Sequence, residues 1–111
     1  TLWISTLIME QKKGFYDLIS SKEKPVLVDF FATWCGPCQA LSPIIQEVSR
    51  EMEDKVIVIK VDVDKNPAVA QKFGIRGVPT MILFKGGEPV WRQSGLMTKR
   101  DISSILQKFA S

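Results

Sequence analysis

Pro25-Val26-Leu27-Val28-Asp29-Phe30-Phe31-Ala32 is a near-continuous apolar run rich in β-forming residues, and it leads straight into Thr33-Trp34-Cys35-Gly36-Pro37-Cys38. A run of this kind, without polar alternation, fits a strand buried on both faces of a mainly parallel sheet. From Cys38 onward the period changes. Leu41, Ile44, Ile45, Val48 and Met52 recur at i, i+3, i+4, i+7 and i+11, one stripe of a helix. Pro43 lies within that stripe and removes one backbone donor from it. The strand therefore turns into a helix at a Cys-x-x-Cys.

On the N-terminal side, Phe15, Leu18 and Ile19 recur at helical spacing and predict a short helix over Gly14 to Ser20. On the C-terminal side, Val56-Ile57-Val58-Ile59-Lys60-Val61 reads as a second buried strand. Asn66-Pro67 then opens a short helix through Phe73, with Asn66 as N-cap and Pro67 at the first helical position, and Gly74 ends it. Thr80 to Phe84 reads as a strand, Lys85-Gly86-Gly87-Glu88 as a turn, and Val90 to Ser94 as the hairpin partner. The last helix starts near Thr98, with Thr98 and Asp101 at capping-box spacing and Ile102, Ile105, Leu106 and Phe109 as its core stripe. The order predicts an α/β domain with one central mixed sheet and helices on both faces. Its N-terminal βαβαβ half is parallel, because those strands need crossover helices, and its C-terminal ββα half is antiparallel.

With 111 residues the chain has room for one core, so a single domain over 1–111 is expected. Residues 1–9, Thr-Leu-Trp-Ile-Ser-Thr-Leu-Ile-Met, lack a basic start and a small-residue cleavage site and read as an extension or a first strand. No apolar run approaches the roughly 20 residues of a membrane helix. The 15 basic and 12 acidic residues are interspersed, which fits a solvated surface and argues against a nucleic-acid face. The chain has no His, which removes Ser–His and Cys–His nucleophile pairs and the commonest transition-metal ligand.

Both cysteines of the chain lie in the one Cys-x-x-Cys. Two intervening residues, Gly36 and Pro37, allow a small disulfide ring. A helix N-terminus stabilises a thiolate on the first cysteine through its N–H groups and dipole. Cys35 is then the attacking nucleophile and Cys38, one turn deeper, the resolving thiol. A structural disulfide is one alternative, but so short a loop contributes little chain-entropy stabilisation. A zinc or iron–sulfur site needs about four ligands, which only a dimer sharing two motifs could supply. The third alternative, a pair of inert buried thiols, fits poorly with the start of a helix. Asp29 stands out separately, because a carboxylate inside a run of Val, Leu and Phe has a raised proton affinity and can accept a proton from a nearby thiol. Lys60 interrupts the other buried strand, where it either opposes that rise or snorkels to the surface.

Val28-Asp29-Phe30-Phe31-Ala32-Thr33-Trp34-Cys35-Gly36-Pro37-Cys38 resembles the active-site segment of the thioredoxin family almost residue for residue. Val61-Asp62-Val63-Asp64-Lys65-Asn66-Pro67, Phe73-Gly74-Ile75-Arg76-Gly77-Val78-Pro79-Thr80, Phe84-Lys85-Gly86-Gly87 and Gly95 continue the likeness in order and spacing. Phe31 departs from it, standing where the family commonly has Trp, and the first ten residues match poorly.

The resemblance implies the thioredoxin fold and a protein-disulfide reductase working by thiol–disulfide exchange through Cys35 and Cys38. It assigns Asp29 as proton acceptor, with Lys60 beside it. It also implies a cis peptide bond before Pro79, with Val78, Pro79, Gly77, Gly95 and Trp34 contacting substrate. No cofactor or metal is expected in the chain itself. Its partners would be disulfide-containing proteins and a flavin-dependent thioredoxin reductase drawing on NADPH, with no nucleic acid or membrane partner. A monomer in the cytoplasm is expected, or a periplasmic or exported protein if an upstream signal was removed. The rival functions are a thioredoxin-fold interaction module and a thiol oxidase or isomerase of an oxidising compartment. Gly36-Pro37 between the cysteines favours a reductant over the latter.

Overall fold

Among the described residues five strands form one sheet in the order β1-β3-β2-β4-β5. In the computed structural model, residues 2–3 and 12–110 are described. The elements among them are β1 (Leu2–Trp3), α1 (Lys12–Ile19), β2 (Val26–Phe31), α2 (Gly36–Glu51), β3 (Ile57–Asp62), α3 (Pro67–Lys72), β4 (Thr80–Lys85), β5 (Glu88–Ser94) and α4 (Lys99–Ala110). β1 and β2 pair parallel with β3, while β4 pairs antiparallel with β2 and with β5. Of residues 1–9, read as an extension or a first strand, Leu2–Trp3 form a short strand in register with Ile59 and Lys60. The rest of residues 1–9, apart from these two, lies outside the described residues.

β2 occupies the centre of the sheet, which explains why its sequence lacks alternation. Both faces are covered: Val28 and Phe30 pack with Ile59, Val61, Ile82 and Phe84 on the α1 and α3 side. Leu27 packs with Leu41, Ile45, Val48, Met81, Leu83, Ile102 and Leu106 on the α2 and α4 side. Phe73, just past α3, sets its ring against Phe15, Phe30 and Phe84 at centroid separations of 6.0, 6.3 and 5.2 Å. These spacings fall in the favourable range for aromatic pairs.

The ends of the elements follow local chemistry. Gly86 and Gly87, both with positive φ (61° and 86°), make the two-residue turn joining β4 to β5, a conformation that other residues rarely adopt. Strand β5 starts at Glu88, two residues earlier than the pattern predicts. The Asp101 N–H donates to Thr98 Oγ1 at 3.1 Å, so Thr98 caps α4. Asn66 stands at the N-cap of α3 but makes no side-chain cap bond. Its amide Nδ2 is instead turned inward and donates to the Asp62 carbonyl at 2.9 Å. Helix α2 begins at Gly36, two residues before the change of period read at Cys38, and continues through Pro43.

Candidate active site

The site starts from the junction of β2 and α2. Cys35 is extended (φ −89°, ψ 114°) and occupies the N-cap of the 16-residue α2, with Pro37 in the first turn. The Cys38 N–H points at Cys35 Sγ from 3.1 Å, the position a Ser or Thr hydroxyl takes in an ordinary cap. The sulfur of Cys35 thus replaces the capping oxygen and receives the positive end of the helix dipole. Cys35 and Cys38 are joined as a disulfide, with Cα atoms 5.2 Å apart. In this oxidised form both residues are buried, 4% and 3% exposed. The expected contrast in exposure is therefore absent. Their inequivalence lies in position instead, Cys35 before the helix and Cys38 inside its first turn.

The Val78–Pro79 peptide is cis, as the resemblance implied. Val78 packs against Ala32, Cys35 and Cys38, and its carbonyl oxygen lies 3.6 Å from Cys35 Sγ. Gly95 has φ 96° and its N–H donates to the Pro79 carbonyl at 2.9 Å, which brings it to the same rim. Gly77 precedes Val78, and a side chain at Gly77 would project into open space. Trp34 is 71% exposed beside the disulfide, so it is a surface residue rather than a core one. Its indole Nε1 donates to Asp64 Oδ2 at 2.8 Å. The buried Asp62, which ends β3, accepts from the N–H groups of Asp64 and Lys65 at 2.9 and 3.4 Å and shapes the loop that presents Asp64.

Asp29 lies in the middle of the central strand, between Lys60 on β3 and Met81 on β4, and is fully buried. A solvent-facing position at a sheet edge is excluded. Among the described residues neither of its carboxylate oxygens has a hydrogen-bond partner. Burial disfavours the charged form and raises its pKa from the ordinary 3.8 to about 6, against an opposing effect of the Lys60 charge. Lys60 is the register partner of Asp29 on β3. It is half-buried, with Nζ donating to Ser42 Oγ at 2.9 Å and lying 4.4 Å from the centre of the Phe31 ring. A cavity of about 200 Å³, lined by Phe31, Ala32, Cys38, Ser42 and Lys60 and reaching the surface at Thr33 and Gln39, lies between Cys38 and that lysine.

The fold thus brings Val78 against Cys35 and Cys38, with Gly77, Pro79 and Gly95 adjoining it and Trp34 exposed beside them, and it sets Asp29 next to Lys60, which shares a cavity with Cys38. Sequence reasoning missed two contributors. Asp64 could have been flagged with Asp62, since closely spaced acids at a strand end favour side-chain-bonded turns. Ser42 carried no signal, because a lone Ser on a helix usually faces solvent.

The family model described as Thioredoxin matches residues 6–108. The chain is 50% identical over 89 residues to the chloroplastic thioredoxin Y1 of Arabidopsis thaliana, covering 80% of this chain and 52% of that protein. It is 48% identical over 105 residues to a bifunctional thioredoxin reductase/thioredoxin of Mycobacterium leprae, covering 91% of this chain and 23% of that protein. The chain therefore spans about half the length of the first relative and about a quarter of the second. Among solved structures, a mutant thioredoxin from Halobacterium salinarum superposes with a TM-score of 0.85 at 34% identity, over 99% of this chain and 90% of that one.

Proposed function

This chain belongs to the thioredoxin family and its domain is a thioredoxin-type protein-disulfide reductase, in which, we propose, Cys35 is the nucleophile, Cys38 the resolving thiol and Asp29 the proton acceptor. The observation that carries this division is the Cys38 N–H aimed at Cys35 Sγ from 3.1 Å at the start of α2. A thiolate at Cys35 gains that hydrogen bond and the helix dipole, and the benefit fades within the first turn, so Cys35 ionises first. The Cys35 thiolate attacks one sulfur of a substrate disulfide, forming a mixed disulfide and expelling the other substrate sulfur as a thiolate. Cys38 then gives its proton to Asp29, attacks Cys35 Sγ and releases the second substrate thiolate. Two electrons have passed to the substrate, and the Cys35–Cys38 disulfide seen in the structure is the product state.

With a pKa of about 6, Asp29 is ionised near neutral pH yet still a competent base, the condition for general-base work there. The cavity beneath Cys38 adjoins Lys60, the register partner of Asp29. Substrate docks in extended form against the backbone of Val78 before Pro79, a strand-addition mode, with Trp34, Gly77 and Gly95 forming the walls. Re-reduction falls to a thioredoxin reductase supplied by NADPH, and the mycobacterial relative carries both names in one chain. The working form is a monomer in a reducing compartment such as the cytoplasm. No helix of the described residues is long and apolar enough to cross a membrane.

Trapping separates the roles of the sulfurs. Cys38→Ser should stall as a stable mixed disulfide with a substrate protein, while Cys35→Ser captures almost none. Brief alkylation of the reduced protein near neutral pH should label Cys35 first. Equal labelling, or capture through Cys38, would reverse the assignment.

A further inference from the structure

Lys60 and Asp29 stand side by side on paired strands, and in a medium of low dielectric an ammonium so placed is drawn toward the carboxylate. The structure shows something different. The ammonium is anchored across the layer on α2, donating to Ser42 Oγ at 2.9 Å with the Phe31 ring 4.4 Å away. Both carboxylate oxygens of Asp29 are left without a hydrogen-bond partner among the described residues. We propose that Ser42 is a positioning residue of the proton relay: its hydroxyl holds the Lys60 ammonium at the cavity wall, short of contact with the Asp29 carboxylate.

The consequence follows from charge and distance. A contact pair would hold Asp29 ionised with little affinity for a proton, and it would be a poor acceptor for the proton of Cys38. An ammonium held further off lowers the proton affinity only partly, which matches a carboxyl that remains raised to about 6. Among the described residues no other ionisable group on the packed elements competes for this role. On β4 Asp29 is paired with Met81, the residues that α2 and α4 bury against this face of the sheet (Leu41, Ile45, Val48, Ile102 and Leu106) are apolar, and Cys38 is held in the disulfide. Trp3, the register partner of Lys60 on β1, carries no ionisable group.

The inference rests on Asp29 as the proton acceptor but is tested without turnover. The Asp29 carboxyl of the oxidised protein is titrated by carbon-13 NMR in the wild type, Ser42→Ala, Ser42→Thr and Lys60→Met. Ser42→Ala should weaken proton binding at Asp29 about tenfold, as the released ammonium closes on the carboxylate. Ser42→Thr, which keeps the hydroxyl, should titrate with the wild type. Lys60→Met should strengthen proton binding, and adding Ser42→Ala to it should then change nothing. An unchanged or strengthened affinity in Ser42→Ala would overturn the proposal. So would a Ser42→Ala effect that persists without Lys60. Should Asp29 not be the acceptor, the failure would appear elsewhere, as unaltered mixed-disulfide resolution in Asp29→Asn.

Discussion

On β2, Val26, Val28 and Phe30 face a layer built around the Phe73 ring, whereas Leu27 and Asp29, one residue out of phase, face α2. The two layers share a backbone and differ in purpose. The first interlocks Phe15, Phe30, Phe73 and Phe84 and contains no group that titrates in the mechanism. The second packs Leu27 against the same helix that carries the disulfide, then admits a buried carboxylate and a half-buried ammonium between its apolar residues. Strand alternation makes this possible, because a substitution on one face leaves the other untouched. One side of the strand holds the fold together, and the other accepts a loss of stability to keep the buried carboxylate proposed as proton acceptor.

The largest effect expected from breaking this contrast is on the aromatic side. Phe84→Ala empties a fully buried site and should cost about 3–5 kcal/mol in urea unfolding, with exchange activity per folded molecule unchanged. A loss below about 1 kcal/mol would mean that this layer is not the stabilising one.

On the other side the sign reverses. Asp29 binds its proton more tightly in the native state (about 6) than its ordinary 3.8, so its contribution is fully present below pH 3.8 and is lost as pH rises through 6. The ionised group then costs up to about 3 kcal/mol. Asp29→Asn should therefore be the more stable protein at pH 8, and the gain should vanish near pH 4. Denaturation of both forms across that range checks it, and a variant destabilised at pH 8 would refute it.

The same substitution sharpens the contrast kinetically. Resolution of a preformed mixed disulfide should slow by about 100-fold near neutral pH, the low end of general-base assistance, while the initial attack by Cys35 persists. Rapid-quench kinetics with a leaving-group probe would separate the two steps.

The smallest effect belongs to the rim. Asp64→Ala removes the acceptor of the exposed Trp34 indole, a bond worth about 1 kcal/mol or less in water. It should raise KM for a protein substrate a few-fold and leave kcat unchanged. A fall in kcat instead would place Trp34 in the chemistry and not only in docking.

Much of the fold was legible because its elements announce themselves locally. The unbroken apolar run of β2, the helical stripe from Leu41 to Met52 and the Gly86-Gly87 turn each reflect a short-range rule that tertiary contacts reinforced. The departures occurred where a side chain took a partner that its local pattern did not suggest. Asn66 turned from its cap to the Asp62 carbonyl, and Lys60 bonded Ser42 on α2.

By itself the sequence determined which residues could carry the chemistry: two sulfurs at a strand-to-helix turn, a carboxylate inside an apolar strand and a proline at the head of another. It determined this because spacing and hydrophobicity act along the chain. Only the tertiary structure decided how those residues act on one another. It put Val78 against Cys35, opened a cavity between Cys38 and Lys60, and tied the Lys60 ammonium to Ser42, 18 residues away. Proton affinity in a buried site depends on the three-dimensional placement of charge and the exclusion of water, and neither is written in any local stretch of the chain.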